Sequence, residues 1–412
     1  MTRVGPRVVL GVSGGIAAYK ACELLRRFTE SGHDVTVVPT RAALEFVGPA
    51  TWAALSGKPV SAEVWDSVHE VPHVRIGQAA DLVVVAPATA DVLAKAAHGI
   101  ADDLLTNTLL TARCPVVFAP AMHTEMWEHA ATQDNVATLR RRGALVIEPA
   151  EGRLTGADTG KGRFPEPDEI FELCRDVLAR RGSGSGTVLD LAGRHVVVSA
   201  GGTREYLDPV RFLGNRSSGL QGYALARVAA ARGAEVTLVA ANTALPDPAG
   251  VKVVPVVTTG ELRDAVVSAA AGADAVVMAA APADYRPATT AATKMKKADD
   301  GSAPVVHLEQ TTDVLAEISH DRSRPDAVIV GFAAETGDDT GSVLEHARAK
   351  LARKGCDLLV VNDVSEGKVF GETHNEAVIL DSDGGAHEVP RATKSALAQV
   401  IWDHVVARLE TS

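Results

Sequence analysis

Short apolar runs alternate with longer amphipathic stretches along the whole chain. In the first half the runs are RVVLGV (7–12), DVTVVP (34–39), DLVVVAP (81–87), PVVFAP (115–120) and ALVIEP (144–149). Each is rich in Val and stops at a turn residue, which predicts a buried strand. Helical patterns separate them, such as IAAYKACELLRRFTESG ending on Gly32. The second half repeats the alternation with RHVVVSA (194–200), EVTLVAA (235–241), AVVMAAA (275–281), AVIVGFAAE (327–335), DLLVVND (357–363) and AVILDSD (377–383). Strand–helix alternation in both halves predicts an α/β protein of two doubly wound domains with mainly parallel sheets. Ligands of such sheets sit at the carboxyl ends of the strands, so the polar residues that follow each strand carry the functional question.

A length of 412 residues calls for two or three domains. GSGSG at 182–186 follows a helix ending in Ala179-Arg180-Arg181, and a coil of that composition spans on the order of 12 Å. The boundaries expected are therefore 1–180, a link at 181–188, and 189–412. A net charge of −11 without an extended basic stripe argues against nucleic acid as a partner. Cys22, Cys114, Cys174 and Cys356 lie far apart with no CxxC, so neither zinc nor a disulfide framework is expected. No apolar run approaches the roughly 18–20 residues of a membrane span. The first strand begins within a few residues of Met1, which leaves no room for a signal peptide and makes the cytoplasm the expected compartment.

Candidate chemistry gathers after the strands. AGGTREYLDPVRFLGNRSSG (200–219) runs from a strand through two glycines, past Asp208 and Arg211, to a turn that opens a helix. Glycines between strand and helix leave backbone N–H groups for phosphate oxygens, yet neither GxGxxG nor the P-loop pattern is present. KMKK at 294–297 places Lys294 and Lys296 on one face of an extended chain. Two ammoniums there suit a triphosphate, and a solvated basic loop is the plain alternative. Lys350 and Lys354 stand i, i+4 on a helix that Gly355 terminates, a repulsive spacing that an anionic ligand would relieve.

In the first half, GVSGGIAAYK (11–20) puts Ser13, Gly14 and Gly15 between strand and helix, either as a phosphate cradle or as a tight turn. Thr40 and Thr89 end the second and third strands, and His73 precedes a short helix in VPHVRIGQAAD. APAMHTEMW (119–127) places Met122, His123 and Met126 after the fourth strand, where they serve a ligand or simply pack. GADTGKGRF (156–164) has almost no helix or strand propensity, which suits a lid.

These motifs carry a resemblance. Residues 5–178 resemble the homo-oligomeric flavin-containing cysteine decarboxylases through SGGIAAYK, PHVRI, PATAD, PAM-x-x-x-MW and the GxGR of the lid. Residues 190–408 resemble phosphopantothenate–cysteine ligases through GGTREYLDPVR, GNRSSG, ADYRP, KMKK, GFAAET and the lysines of HARAKLARKGCDLLVVND. Both in this order resemble the bacterial bifunctional coenzyme A biosynthesis proteins. The resemblance implies a flavodoxin-like first half that binds FMN, which oxidises the thiol of 4′-phosphopantothenoylcysteine so that its carboxylate can leave. His73 falls at the catalytic histidine. It implies a Rossmann-like second half that joins cysteine to 4′-phosphopantothenate with CTP and Mg²⁺ through an acyl-cytidylate. Lys294, Asp284, Asp313, Phe332, Lys350 and Lys354 then belong to the CTP site, and Asn215 serves the acyl-cytidylate stage. FMN at the contacts of trimers, with paired ligase halves, implies a homododecamer.

Three positions depart from the family pattern. His123 replaces the usual Asn that binds the substrate carboxylate, Gly156 replaces the lid cysteine, and Leu220 replaces the Lys of SSGK. Thr155, Asp158 or water are the candidates for the proton donor that the cysteine would have been. Two rival readings use the same residues. One is an oxidoreductase or nucleotide-binding enzyme of another pathway; the other is a working ligase fused to a flavin-binding half with a regulatory or scaffolding role.

Overall fold

Seven consecutive buried residues, Leu82–Ala88, form the central strand of the first sheet in a computed structural model of the chain. The structure describes residues 5–62, 71–153, 159–182, 189–296, 303–335, 343–363 and 374–411. Residues 183–188 of the expected link, the loop residues Thr155, Gly156 and Asp158, and Lys297 lie outside these. The described chain separates into two units. One comprises Met1–Ala192 with Ala231–Gly233 and Pro248–Gly250, and the other comprises Gly193–Ala230, Ala234–Asp247 and Val251–Ser412.

The first unit holds strands β1 (Arg7–Val12), β2 (Asp34–Pro39), β3 (Leu82–Ala88), β4 (Val116–Pro120) and β5 (Leu145–Val146), all parallel, in the order β2-β1-β3-β4-β5. Helices cover both faces, so the central strands are apolar throughout rather than alternating. Val83, Val85, Leu93, Leu105, Phe118 and Trp127 are among the residues of one shared core cluster. Burying each such side chain contributes about 1.5–3 kcal/mol. Polar caps start the helices that follow β3. Thr89 caps Ala90–His98, and Asp103 forms a capping box with Thr106 at the head of Leu104–Thr111.

Residues 159–163 differ from expectation. Instead of a loop without regular structure, Thr159–Arg163 is a strand paired antiparallel with Ala150–Arg153. Its glycines serve close approach. A Cβ on Gly162, whose φ is 152°, would meet the Met122 carbonyl oxygen at 2.2 Å. The ribbon thus lies directly on the segment after β4, and the Met122 N–H donates to the Gly162 carbonyl at 3.0 Å.

The second unit has an eight-stranded sheet. Its strands are β6 (His195–Gly201), β7 (Glu235–Ala241), β8 (Val251–Val256), β9 (Ala275–Met278), β10 (Val328–Glu335), β11 (Leu358–Asp363), β12 (His374–Asp381) and β13 (Ala386–Thr393), in the order β8-β7-β6-β9-β10-β11-β12-β13. The first six are parallel, and β12 and β13 add an antiparallel edge. β8 and β13 were not expected from the sequence, since each carries a proline, Pro255 and Pro390, and β13 is largely polar. Both are edge strands, where a missing N–H is tolerated. β9 ends at Met278, before the AAA that follows, and β12 begins at His374. Among the described residues no helix is long and apolar enough to cross a membrane.

Candidate functional site

The order of the first sheet reverses between β1 and β3, and that reversal opens a crevice at the carboxyl ends of the two strands. Ser13, just past β1, is buried there. Its hydroxyl donates to the Pro87 carbonyl at 2.7 Å and accepts the Thr89 N–H at 2.9 Å. Thr40 arrives from β2, its N–H donating to Val12 at 2.8 Å, and its hydroxyl caps the short helix Arg41–Leu44. Gly14 sits against this cap so closely that a Cβ would lie 2.7 Å from the Ala42 carbonyl carbon. Ser13, Gly14, Gly15, Thr40 and Thr89 are therefore brought together.

The segment after β4 joins them, since Ala121 donates to the Ala88 carbonyl at 3.1 Å. Met122 is half-buried against the core, while His123 is exposed and precedes the helix Thr124–Glu128. Met126 is exposed and Trp127 is buried, so the two flanking apolar residues have different roles. His73 lies in the helix Pro72–Ala79, held to Leu104–Thr111 by the Thr111 hydroxyl donating to its carbonyl at 2.8 Å. Its Nδ1 is buried and has no hydrogen-bond partner among the described residues. Val71, two residues before, has φ 45° and ψ 62°, a left-handed conformation that costs a β-branched residue on the order of 1–3 kcal/mol. An orphaned ring nitrogen beside a strained backbone is a pattern that functional sites retain.

In the second unit the order reverses between β6 and β9. Gly202 bridges to Ala281, and Ala281 donates to the Gly201 carbonyl at 2.8 Å. Asn215 reaches this seam, its side-chain amide donating to the Pro282 carbonyl at 2.7 Å. The Asp284 carbonyl accepts the Thr311 N–H at 3.0 Å, and the Thr311 hydroxyl donates to Ala283 at 2.6 Å. Two residues on, Asp313 caps the helix Val314–His320 and forms an ion pair with Lys354 at the end of the helix Val343–Lys354. Burial alone would raise the Asp313 carboxyl. The Lys354 ammonium, the Ala316 N–H and the Arg353 charge outweigh it and hold the group below its ordinary value. Asn215, Asp284, Asp313 and Lys354 thus form one connected strip. Gly355, at φ 71°, ends the lysine helix as expected. Lys350 is one turn earlier and half-buried, and Phe332 lies half-buried on β10.

Lys294 and Lys296 are exposed, in a segment that is not a strand. Two residues of the glycine-rich motif, Asp208 and Arg211, fix that segment. The Asp208 side chain, fully buried, accepts N–H groups from Val210 and Arg211 at 2.8 Å each and from Met295 at 3.1 Å. A second buried acid, Glu205, accepts the N–H and hydroxyl of Thr259 at 2.8 and 2.9 Å. The Thr259 hydroxyl meets that of Thr203 at 2.9 Å, and Thr203 accepts the Ala283 N–H at 2.8 Å. The sequence signal for both acids was their place within GGTREYLDPVR, which does not show what they hold. A cleft of about 460 Å³ beside Arg348, Cys356 and Asp381 opens at the amino end of β11.

Comparison with known proteins agrees with both halves. Residues 2–179 match the family described as "Flavoprotein", and residues 191–409 match "DNA/pantothenate metabolism flavoprotein C-terminal domain". The chain is 59% identical over 412 residues to the coenzyme A biosynthesis bifunctional protein CoaBC of Mycobacterium tuberculosis, covering 99% of this chain and 98% of the relative. The chain belongs to this family of bifunctional coenzyme A biosynthesis enzymes. The counterpart from Mycolicibacterium smegmatis is likewise 59% identical, over 413 residues and 98% of both chains. A crystal structure of the C-terminal domain of a CoaBC protein is 35% identical and covers 54% of this chain and 100% of its own, with a TM-score of 0.46. Family membership makes the chain a bifunctional enzyme with decarboxylase and ligase activities.

Proposed function

We propose that the first half is the decarboxylase, with FMN bound at the β1/β3 reversal, and that the second half is the ligase, driven by CTP. One observation supports both: in each sheet, candidate residues from separate strands converge where the strand order reverses. The order of the first sheet is the flavodoxin type, whose reversal is a flavin site, and that of β8 to β11 is the dinucleotide-binding type.

In the first half, phosphate would rest on the backbone of Gly14 and Gly15, with Thr40 and Thr89 flanking it and Met122 toward the ring. The buried Nδ1 of His73, without a partner among the described residues, fits a polar group of a bound ligand. Bound FMN supplies the two-electron oxidation and hydride return that let carbon dioxide leave 4′-phosphopantothenoylcysteine, giving 4′-phosphopantetheine. His73 takes the thiol proton, and His123 holds the substrate carboxylate where relatives use Asn.

In the second half, Lys294 and Lys296 offset the charge that builds when the carboxylate of 4′-phosphopantothenate attacks the α-phosphate. Asp284, Asp313, Lys350 and Lys354 hold the nucleotide, Phe332 stacks on its base, and Asn215 orients the acyl-cytidylate for the amine of cysteine. Among the described residues no three His, Cys, Asp or Glu side chains form a metal-binding group. Mg²⁺ would therefore arrive on the triphosphate, as this ion commonly does. Domain limits of 1–180, 181–188 and 189–412, a cytoplasmic location and a homododecamer belong to the same reading, supported by family membership.

The purified chain should be yellow, release carbon dioxide from 4′-phosphopantothenoylcysteine, and release pyrophosphate from CTP given 4′-phosphopantothenate, cysteine and Mg²⁺. A yellow protein without carbon dioxide release would make the first half a flavin-binding scaffold. Equal turnover with ATP would remove CTP.

A further inference from the structure

We infer that Asp208 is a positioning residue for ligation, and that its carboxylate holds the Lys294 segment at the site. The two oxygens have separate partners. Oδ1 accepts the N–H groups of Val210 and Arg211, which closes the turn of LDPVR. Oδ2 accepts the N–H of Met295, a residue 87 positions away and the immediate neighbour of Lys294.

Three further bonds run in the same direction. The Arg211 guanidinium donates to the Met295 carbonyl at 3.0 Å, Ala291 donates to the Leu207 carbonyl at 3.0 Å, and the Thr290 hydroxyl donates to Tyr206 at 3.1 Å. Residues 290–295 are thereby laid along 206–211, although neither stretch pairs with the other as a sheet. Lys294 carries a long side chain on backbone that is neither helix nor strand. Without an anchor its ammonium would sample many positions, and preorganisation is what makes such a charge effective at a developing anion.

A fully buried carboxylate is a costly anchor unless it is satisfied. Burial alone would raise the Asp208 carboxyl. The N–H groups of Val210, Met295 and Arg211, together with the Arg211 charge, overcome that and hold it below its ordinary value. It is therefore ionised at neutral pH, with charge-assisted bonds to both segments.

The two roles are separable. Asp208→Asn keeps the Oδ1 acceptor for the turn but points an amide NH₂ at the Met295 N–H, donor against donor. Turning the amide over to satisfy Met295 would break the turn instead. In the full chain, Asp208→Asn should slow CTP-dependent pyrophosphate release by about 10- to 100-fold, the scale of a small misplacement of a catalytic group. In a Lys294→Ala background the same change should cost almost nothing further, because the two act as one unit. Carbon dioxide release by the same sample reports only on the first half, so a parent-like melting transition of the second half is the control that the variant is folded. The unmutated chain supplies an independent measurement: the Met295 amide should resist hydrogen exchange despite lying outside any helix or strand.

Release within twofold of the parent in Asp208→Asn, costs that multiply in the double variant, or a fast-exchanging Met295 amide would each overturn the inference. It rests on the ligase reading given above, and the two fail differently. Undiminished release in Lys294→Ala would remove that reading and this inference together, whereas undiminished release in Asp208→Asn alone would remove only the latter.

Discussion

The Thr89 N–H donates to the Ser13 hydroxyl at 2.9 Å, while that hydroxyl donates to the Pro87 carbonyl at 2.7 Å. One buried side chain therefore ties the end of β1 to the end of β3 across the reversal of the first sheet. The sequence offers Ser13 to a phosphate cradle or to a tight turn; the structure shows what else the hydroxyl does. Ser13→Ala would leave the Thr89 N–H without its acceptor, at a cost of about 1–3 kcal/mol for a buried group. It should lower the unfolding temperature of the first half and the flavin retained after gel filtration. Unchanged flavin content and unfolding would remove Ser13 from both roles.

Asp313 and Lys354 are paired with each other, and the resemblance assigns both to the nucleotide. Asp313→Asn preserves the helix cap, because Asn caps about as well as Asp. It removes the charge that orders Lys354. Nucleotide affinity should fall by roughly tenfold, about 1.4 kcal/mol, with thermal stability nearly unchanged, as titration calorimetry and melting would report. Tighter binding by the variant would mean that Asp313 restrains Lys354 rather than helping to hold nucleotide.

The same logic applies to acid stability at Asp274. Burial raises this carboxyl, but the His195 N–H and the Arg194 and Arg324 guanidiniums together lower it below its ordinary value. A depressed carboxyl adds stability that is fully present above its unfolded-state value and is lost as pH falls through the folded one. The second half should therefore keep this contribution at neutral and mildly acidic pH and lose it only below the usual aspartate range. In Asp274→Asn the loss should already be present at pH 7, on the order of 2 kcal/mol, with a shallower fall in acid. A parallel acid profile for the two proteins would contradict this.

The fold was legible wherever strands are buried on both faces. β1 and β2 match their apolar runs residue for residue. Central parallel strands need continuous apolar sequence, so composition announces them. β8 and β13 were not legible, because an edge strand buries little and each can accept a proline. The strand Thr159–Arg163 was hidden for another reason. Its glycines fit a backbone contact with Met122 that no local propensity encodes. In the second unit, Asp208 and Glu205 stand inside the motif GGTREYLDPVR, yet their contacts were not readable from it. Their partners are backbone N–H groups and hydroxyls distant in sequence, and such pairing leaves no spacing to read.

Glu205 invites a test of its own. It is buried and accepts both the N–H and the hydroxyl of Thr259, at the start of the helix Thr259–Ala270. The helix dipole favours a negative charge there. Through Thr203 the chain of bonds ends on the N–H of Ala283, beside Asp284. Glu205→Ala should destabilise the second half by about 1–3 kcal/mol, since it strands a buried N–H. It should also raise the KM for CTP more than it lowers kcat. A stability loss with unchanged KM would confine Glu205 to holding the helix.

The last prediction turns on the two histidines of the first half. On the proposed reading, with the cradle formed by Ser13, the glycines, Thr40 and Thr89, His73→Asn should keep bound flavin and lose carbon dioxide release. His123 is exposed at the head of the helix Thr124–Glu128, so its replacement should leave folding untouched. His123→Asn introduces the amide of the resembled family pattern and, on the proposed reading, should retain substantial activity. His123→Leu leaves the substrate carboxylate without a donor, and should cut kcat/KM by roughly 10- to 100-fold, the scale of a lost hydrogen bond to a charged group. Assay of carbon dioxide release with 4′-phosphopantothenoylcysteine separates the cases. Parent-like rates in His123→Leu would place carboxylate binding elsewhere. Parent-like rates in His73→Asn would mean that thiol deprotonation does not use this ring, and the orphaned Nδ1 would then need another purpose.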